Sequence, residues 1–164
     1  MSADIRHRSG KTDKQFLFEA QLDWLQGHKG ILTADGTGPG IYVTLPAVFG
    51  GDGGDWSPEH LLLCSVSSSY MTTYLVYAKK LGLAITHFTC QAIGQIELME
   101  GKYRFTNINL YPKISIANES ERKKADEAVA KTHQYCLVGN SLSATIFYHS
   151  QVVLDEHPKP AVMD

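Results

Sequence analysis

Three thiols, Cys64, Cys90 and Cys136, have the widest chemical reach in this chain of 164 residues. A thiolate can be a nucleophile, a metal ligand or a redox centre. The three are odd in number and widely spaced, and they match neither a zinc pattern nor a disulfide framework. Reduced thiols in a cytoplasmic protein fit that usage. Cys64 reads as a small side chain packed on the Met71 and Leu75 face of a helix, and Cys90 as strand packing. Cys136 lies at a helix end, where it belongs either to a site or to the core. His28, in a turn, is a hydrogen-bonding group that titrates near neutrality, or an exposed turn residue. Glu59 sits where the positive end of a helix dipole favours an anion. The glycines of FGGDGGD, Phe49 to Asp55, do not form a phosphate cradle, because the spacing is not GxGxxG and no Lys-Ser/Thr follows. Neither a cofactor nor a metal is expected from these patterns.

One stretch must position most of these residues: Trp56 to Leu83, WSPEHLLLCSVSSSYMTTYLVYAKKLGL. Ser57 suits the N-cap, Pro58 the first helical position and Gly82 the left-handed C-terminus. No charge occurs from Leu61 to Ala78. On a helical wheel Leu62, Val66, Thr73 and Val76 share one face, and Cys64, Met71, Leu75 and Ala78 nearly the opposite one. A helix apolar all round is expected to be buried all round. A chain of this size cannot readily enclose it alone, so a partner subunit is expected. A membrane span is rejected: Ser65, Ser67, Ser68, Ser69, Thr72 and Thr73 are too polar, and no basic flank orients the segment. The serines instead let another helix approach closely.

Around that helix, the expected order is three strands, the helix, two long strands, a second helix and one strand. The strands are Gln15 to Trp24, Gly30 to Thr33, Ile41 to Leu45, His87 to Glu97, Tyr103 to Ile116 and Ser143 to Leu154, with a hairpin turn at Glu100-Gly101. From Ile108 to Ile116 the alternation puts Ile108, Leu110, Ile114 and Ile116 on one side, which predicts a half-buried antiparallel strand. Asn118 is expected to cap the second helix, with Glu121 in the capping-box position, an apolar stripe of Ala125, Ala128, Val129 and Thr132, and a break at Gly139. Strands grouped in hairpins rather than alternating with helices predict an α+β fold with antiparallel sheets. One domain over 1–164 is expected, with 1–13 and 156–164 as flexible or arm-like tails. The N-terminus has no apolar core of a secretory signal. A net charge of −2 argues against a nucleic-acid or anionic-membrane partner.

The helix start Ser57-Pro58-Glu59-His60-Leu61-Leu62-Leu63 resembles the (S/N)PE-x-LL motif of the OsmC/Ohr family, the osmotically induced protein C and organic hydroperoxide resistance proteins. Cys136-Leu137-Val138-Gly139-Asn140-Ser141-Leu142 is similar to that family's C-P-(I/V)-S-x-S-L. Trp24, Gly27 to Gly30 and the Gly50-Gly51 loop add support, and the likeness runs from about Phe16 to Leu154. It implies an OsmC-like fold: an intertwined homodimer with two sheets wrapped around long buried helices. It also implies a two-cysteine peroxidase of the oxidative stress response, acting on organic hydroperoxides with a dithiol reductant.

In such chemistry a thiolate attacks the peroxide, an arginine activates the thiolate, and a carboxylate holds the arginine. The resulting sulfenic acid condenses with a second cysteine, and the reductant restores both thiols. The resemblance puts the carboxylate at Glu59 and the second cysteine at Cys136. It puts the reactive cysteine at position 69, which is Ser69, and the arginine at position 28, which is His28. A serine cannot become a sulfenic acid. Cys64 is five residues from Ser69, about 7.5 Å along the axis and about 140° around it, so it cannot use the same pocket. Ser69 with His28 and Glu59 raises a hydrolase reading, but no GxSxG elbow is present; the plain alternative for Ser69 is a hydroxyl bonded to its own helix. Two readings therefore stand. One is a hydroperoxide-detoxifying protein altered at Ser69. The other is a non-redox module that binds an apolar small molecule in the dimer-interface pocket.

Overall fold

The computed structural model describes residues 14–156. The chain forms two compact units that divide between Trp56 and Ser57. The expected tails lie outside the described residues, except for Glu156. Among the described residues no helix is long and apolar enough to cross a membrane.

The first unit is a three-stranded antiparallel sheet of β1 (Gln21–Gln26), β2 (Lys29–Thr33) and β3 (Ile41–Val43) in that order. β1 starts later than the sequence suggested. The turn at Gly27-His28 sets the register, Gln21 pairs with Thr33 at the end of β2, and among the described residues 14–20 have no partner strand. β3 ends at Val43 because Pro46 follows closely and Trp56 takes over the pairing, its carbonyl accepting from Thr44 N at 2.8 Å. Gly51 is required for packing: a Cβ there would lie 1.8 Å from the Leu45 carbonyl oxygen. The Lys29–Asp55 ion pair, 3.1 Å, ties the end of the glycine loop to β2. The unit buries little of its apolar surface. Phe16, Leu17, Phe18 and Trp24 are all exposed, Phe18 at 97%.

The second unit begins with α1 (Pro58–Lys80). Ser57 caps it, its Oγ accepting from His60 N at 3.3 Å, and Gly82 beyond its end takes φ +61°. A single chain buries one side of the helix, and the expected burial of the other sides rests on a second copy. Val66, Tyr70, Tyr74 and Ala78 are buried, whereas Cys64, Ser65, Ser68, Thr72, Leu75 and Val76 are exposed. Within this unit the strand Ile85–Met99 and the helices Arg122–Tyr135 and Leu137–Ser141 pack against the stripe of Val66, Tyr70, Tyr74 and Ala78. Cys64 is exposed within one chain.

The sheet of this unit is built on the hairpin of β4 (Ile85–Met99) and β5 (Lys102–Ile116). Glu100 and Gly101 both adopt positive φ, 52° and 77°, as a two-residue turn demands. Ile108, Leu110, Ile114 and Ile116 are fully buried, as the alternation required. Each such side chain contributes about 1.5–3 kcal/mol on burial.

A 3-10 turn at Glu119–Glu121 precedes α2 (Arg122–Tyr135). The expected capping box does not form. The Asn118 side chain makes no capping bond, and Glu119 instead pairs with Arg122. The stripe of Ala125, Ala128 and Thr132 is buried as expected.

The last strand is two strands. β6 (Thr145–Tyr148) and β7 (Gln151–Leu154) both pair parallel with β5, a departure from the antiparallel pattern. Pairing lapses between Leu110↔Tyr148 and Lys113↔Gln151, and Pro112, which has no N–H to give a ladder, lies in that gap. There the chain turns Ser150 inward. Its hydroxyl is 2.8 Å from Tyr70 Oη and 3.0 Å from His133 Nε2, joining α1, α2 and the strand break.

Candidate functional site

Ser69 faces the corner where α2 ends. Cys136 makes that corner: its extended backbone (φ −61°, ψ 110°) closes α2 and opens α3 (Leu137–Ser141). Its N–H donates to Thr132 O and its carbonyl accepts from Asn140 N, each at 2.9 Å, so the corner is fully hydrogen-bonded. The Cys136 side chain is fully buried and points at α1.

There the two sequence-singled residues meet. Cys136 Sγ donates to Ser69 Oγ at 3.5 Å, and Val138 N donates to the same oxygen at 3.3 Å. Ser69 therefore does not bond to its own helix, the plain alternative considered for it. Ser67, Ser68 and Thr72 do, donating to the carbonyls of Cys64, Ser65 and Ser68 respectively.

Gly139 does not break a helix; it lies within α3. A Cβ there would stand 2.8 Å from Tyr148 Oη and 3.3 Å from Cys136 Sγ. The residue is glycine because a tyrosine hydroxyl and a thiol close over it. Tyr148 stacks on His133 with ring centroids 4.4 Å apart. Burial raises the Tyr148 pKa, raises that of Cys90, and lowers that of His133, because each loses the water that would solvate its charged form. Val138, Gly139 and Tyr148 belong to the site without a chemical signal of their own in the sequence. Only the adjacency of Val138 and Gly139 to Cys136 in the sequence pointed to them.

Glu59 lies on the first turn of α1, ten residues before Ser69 and about 15 Å away along the axis. It cannot touch Ser69 within one helix. Its Oε2 is buried and has no hydrogen-bond partner among the described residues. His28 belongs to the first unit, at the exposed turn between β1 and β2. Of the four residues, the structure brings together Ser69 and Cys136.

Along the exposed side of α1 runs an open groove of about 430 Å³. Ser65, Ser69, Thr73 and Val76 line it from α1, and Leu137 and Val138 from α3. It carries hydroxyls and apolar surface and no charged side chain. With a hydroxyl at position 69, the arrangement cannot form a disulfide there.

A family model described as OsmC-like protein matches residues 51–149. No curated protein matches the chain. Solved structures do. An OsmC-like protein of unknown function from Vibrio cholerae is 17% identical with a TM-score of 0.73, covering 84% of this chain and 99% of that one. An organic hydroperoxide resistance protein from Elizabethkingia anophelis is 20% identical with a TM-score of 0.67, over 87% and 99% of the two chains. The corresponding protein of Bacillus subtilis is 17% identical with a TM-score of 0.59, over 84% and 98%.

Proposed function

The chain belongs to the OsmC-like protein family, and from that premise we propose that it is a member whose pocket binds an apolar small molecule without thiol peroxidase turnover. The observation that carries this reading is the partner of Cys136. Where a two-cysteine peroxidase needs a second sulfur, Cys136 meets the Ser69 hydroxyl at 3.5 Å. A hydroxyl cannot be oxidised to the sulfenic acid that the disulfide step requires. The other thiols do not stand at that place: Cys64 is five residues before Ser69, about 7.5 Å along the axis and about 140° around it, and Cys90 lies on the inward side of β4. The fold and groove remain, which is what a binding role uses.

The working form we propose is a homodimer in the cytoplasm. Two features support it. The uncharged outer side of α1, with Leu75 and Val76 exposed, is bare in one chain, and so are the aromatic and aliphatic side chains of the first unit. The orphaned Glu59 oxygen also needs a donor, and a second copy can bring Glu59 to Ser69 where its own helix cannot. A dithiol reductant, the partner that peroxidase turnover would require, has no substrate here.

The thiol state after peroxide treatment tests the reading. Wild type is exposed to cumene hydroperoxide and its intact mass is measured under denaturing conditions. The expected result is no loss of two hydrogens within a chain. An intrachain disulfide that includes Cys136 would overturn the reading.

A further inference from the structure

Inside the second unit, three polar side chains form a hydrogen-bonded chain that can run in one direction. Tyr70 is fully buried, and among the described residues its hydroxyl has one hydrogen-bond partner, Ser150 Oγ at 2.8 Å. Burial holds the Tyr70 pKa well above its ordinary value, so the phenol keeps its proton. That proton goes to Ser150, because a buried donor left unpaired is costly. Ser150 has one proton of its own to give, and it gives it to His133 Nε2 at 3.0 Å. The chain Tyr70–Ser150–His133 therefore requires a neutral imidazole with its proton on Nδ1. Tyr70 lies on the buried stripe of α1, away from the side that a second copy covers, and every bond is made within one chain.

Protonation of His133 reverses the chain. Nε2 then donates to Ser150, Ser150 donates to Tyr70 Oη, and the Tyr70 proton is stranded in the core. No counter-charge stands ready. α1 faces the ring with Tyr70, and β6 faces it with Tyr148, stacked at 4.4 Å. Tyr74 and Cys90 lie beyond Tyr70, and Cys136 beyond Tyr148. Neither β7 nor α3 carries a titratable side chain. On the α2 side, Asp126 faces Tyr74, and Glu119 and Glu121 stand at the far end of the helix. We propose that Tyr70, Ser150 and His133 form a pH-sensitive latch, which ties α1 to α2 at neutral pH and releases when His133 takes a proton. The release reaches the Ser69–Cys136 corner, because the Tyr148 ring stacked on His133 sets its hydroxyl over Gly139, next to Cys136. Loss of water lowers the His133 pKa. The latch is therefore complete above the ordinary histidine value of about 6.5 and is lost as pH falls through the lower value of the folded state.

Nitrogen–proton correlation spectra of the imidazoles test this on the full chain, from about pH 8 to about pH 5. His133→Gln identifies the His133 signals among those of the 7 histidines. At the upper end, wild type should carry a proton on Nδ1 and none on Nε2. Tyr70→Phe removes the donor that protonation strands, so it should favour the protonated ring about tenfold relative to wild type. A ring that is merely buried would titrate alike in both. The Val138 amide, which donates to Ser69, should lose hydrogen-exchange protection as wild-type His133 protonates. If Tyr70→Phe does not fold, the wild-type tautomer and the Val138 exchange decide. A proton on Nε2 in neutral wild type, equal midpoints in the two proteins, or unchanged Val138 protection across the titration overturns the inference.

Discussion

Ser69→Cys is expected to convert the protein into a peroxide-sensitive dithiol. The replaced oxygen, half-buried, stands 3.5 Å from the buried Cys136 Sγ. A disulfide needs about 2.05 Å between sulfurs and Cα atoms within about 7 Å. The 3.5 Å contact puts the two side chains within reach of that bond, and the variant is expected to close it by rotation about χ1. The chemistry then balances. The new thiolate attacks the distal peroxide oxygen, the O–O bond breaks, and the alcohol leaves with a proton. The Cys136 thiol then attacks the sulfenic sulfur, water leaves and the disulfide forms. A dithiol reductant returns both thiols. Intact-mass measurement should show an intrachain loss of two hydrogens in the variant and none when Cys136→Ser is added. Turnover should begin slowly, since a thiol of ordinary pKa, about 8.5, is only about 3% thiolate at pH 7. The resemblance assigns the activating cation to position 28, so adding His28→Arg should raise the rate on the order of tenfold through thiolate fraction. A Ser69→Cys protein that stays reduced in excess hydroperoxide would show that the Ser69–Cys136 contact is not a site.

The second large effect is expected at the outer side of α1. Val76 is 51% exposed in one chain and lines the groove beside small residues. In the proposed dimer it is covered by the second copy. Val76→Glu would place a carboxylate in that contact. A buried charge without a partner costs about 3 kcal/mol or more, which weakens association upwards of roughly 100-fold. Sedimentation or light scattering at micromolar concentration should show a dimer for wild type and a large monomer fraction for Val76→Glu. A monomeric, well-folded wild type would contradict the dimer.

The legible parts of this fold were those with strong local signals. The Ser57-Pro58 start and the Gly82 end of α1, the Glu100-Gly101 hairpin and the alternation from Ile108 to Ile116 stand in the structure as the sequence implied. What could not be read depended on partners distant in sequence. The run from Ser143 to Leu154 looks continuous, and only its register against Pro112 of β5 splits it. The direction of that pairing, parallel to β5, follows from where α2 and α3 deliver the chain, and no residue of β6 or β7 encodes it. Gly139 has the composition of a helix stop but the role of a contact, because Tyr148 and Cys136 crowd it.

The site divides in the same way. That Ser69 and Cys136 could meet was legible from motif positions, since each has a matched place in the family pattern. The bond from Val138 N was not, because a backbone donor leaves no mark on residue identity. The neighbouring serines explain why Ser69 looked ordinary. In sequence it is one of a run, and only packing against the α2–α3 corner separates it from Ser67 and Ser68.

The most direct measurement of the central claim is steady-state consumption of an organic hydroperoxide by wild type with excess dithiol reductant. The Ser69→Cys, His28→Arg protein serves as the positive control. The account predicts that wild type runs at the rate of the reductant alone. Rapid turnover by wild type that disappears in Cys136→Ser or Cys64→Ser would contradict it.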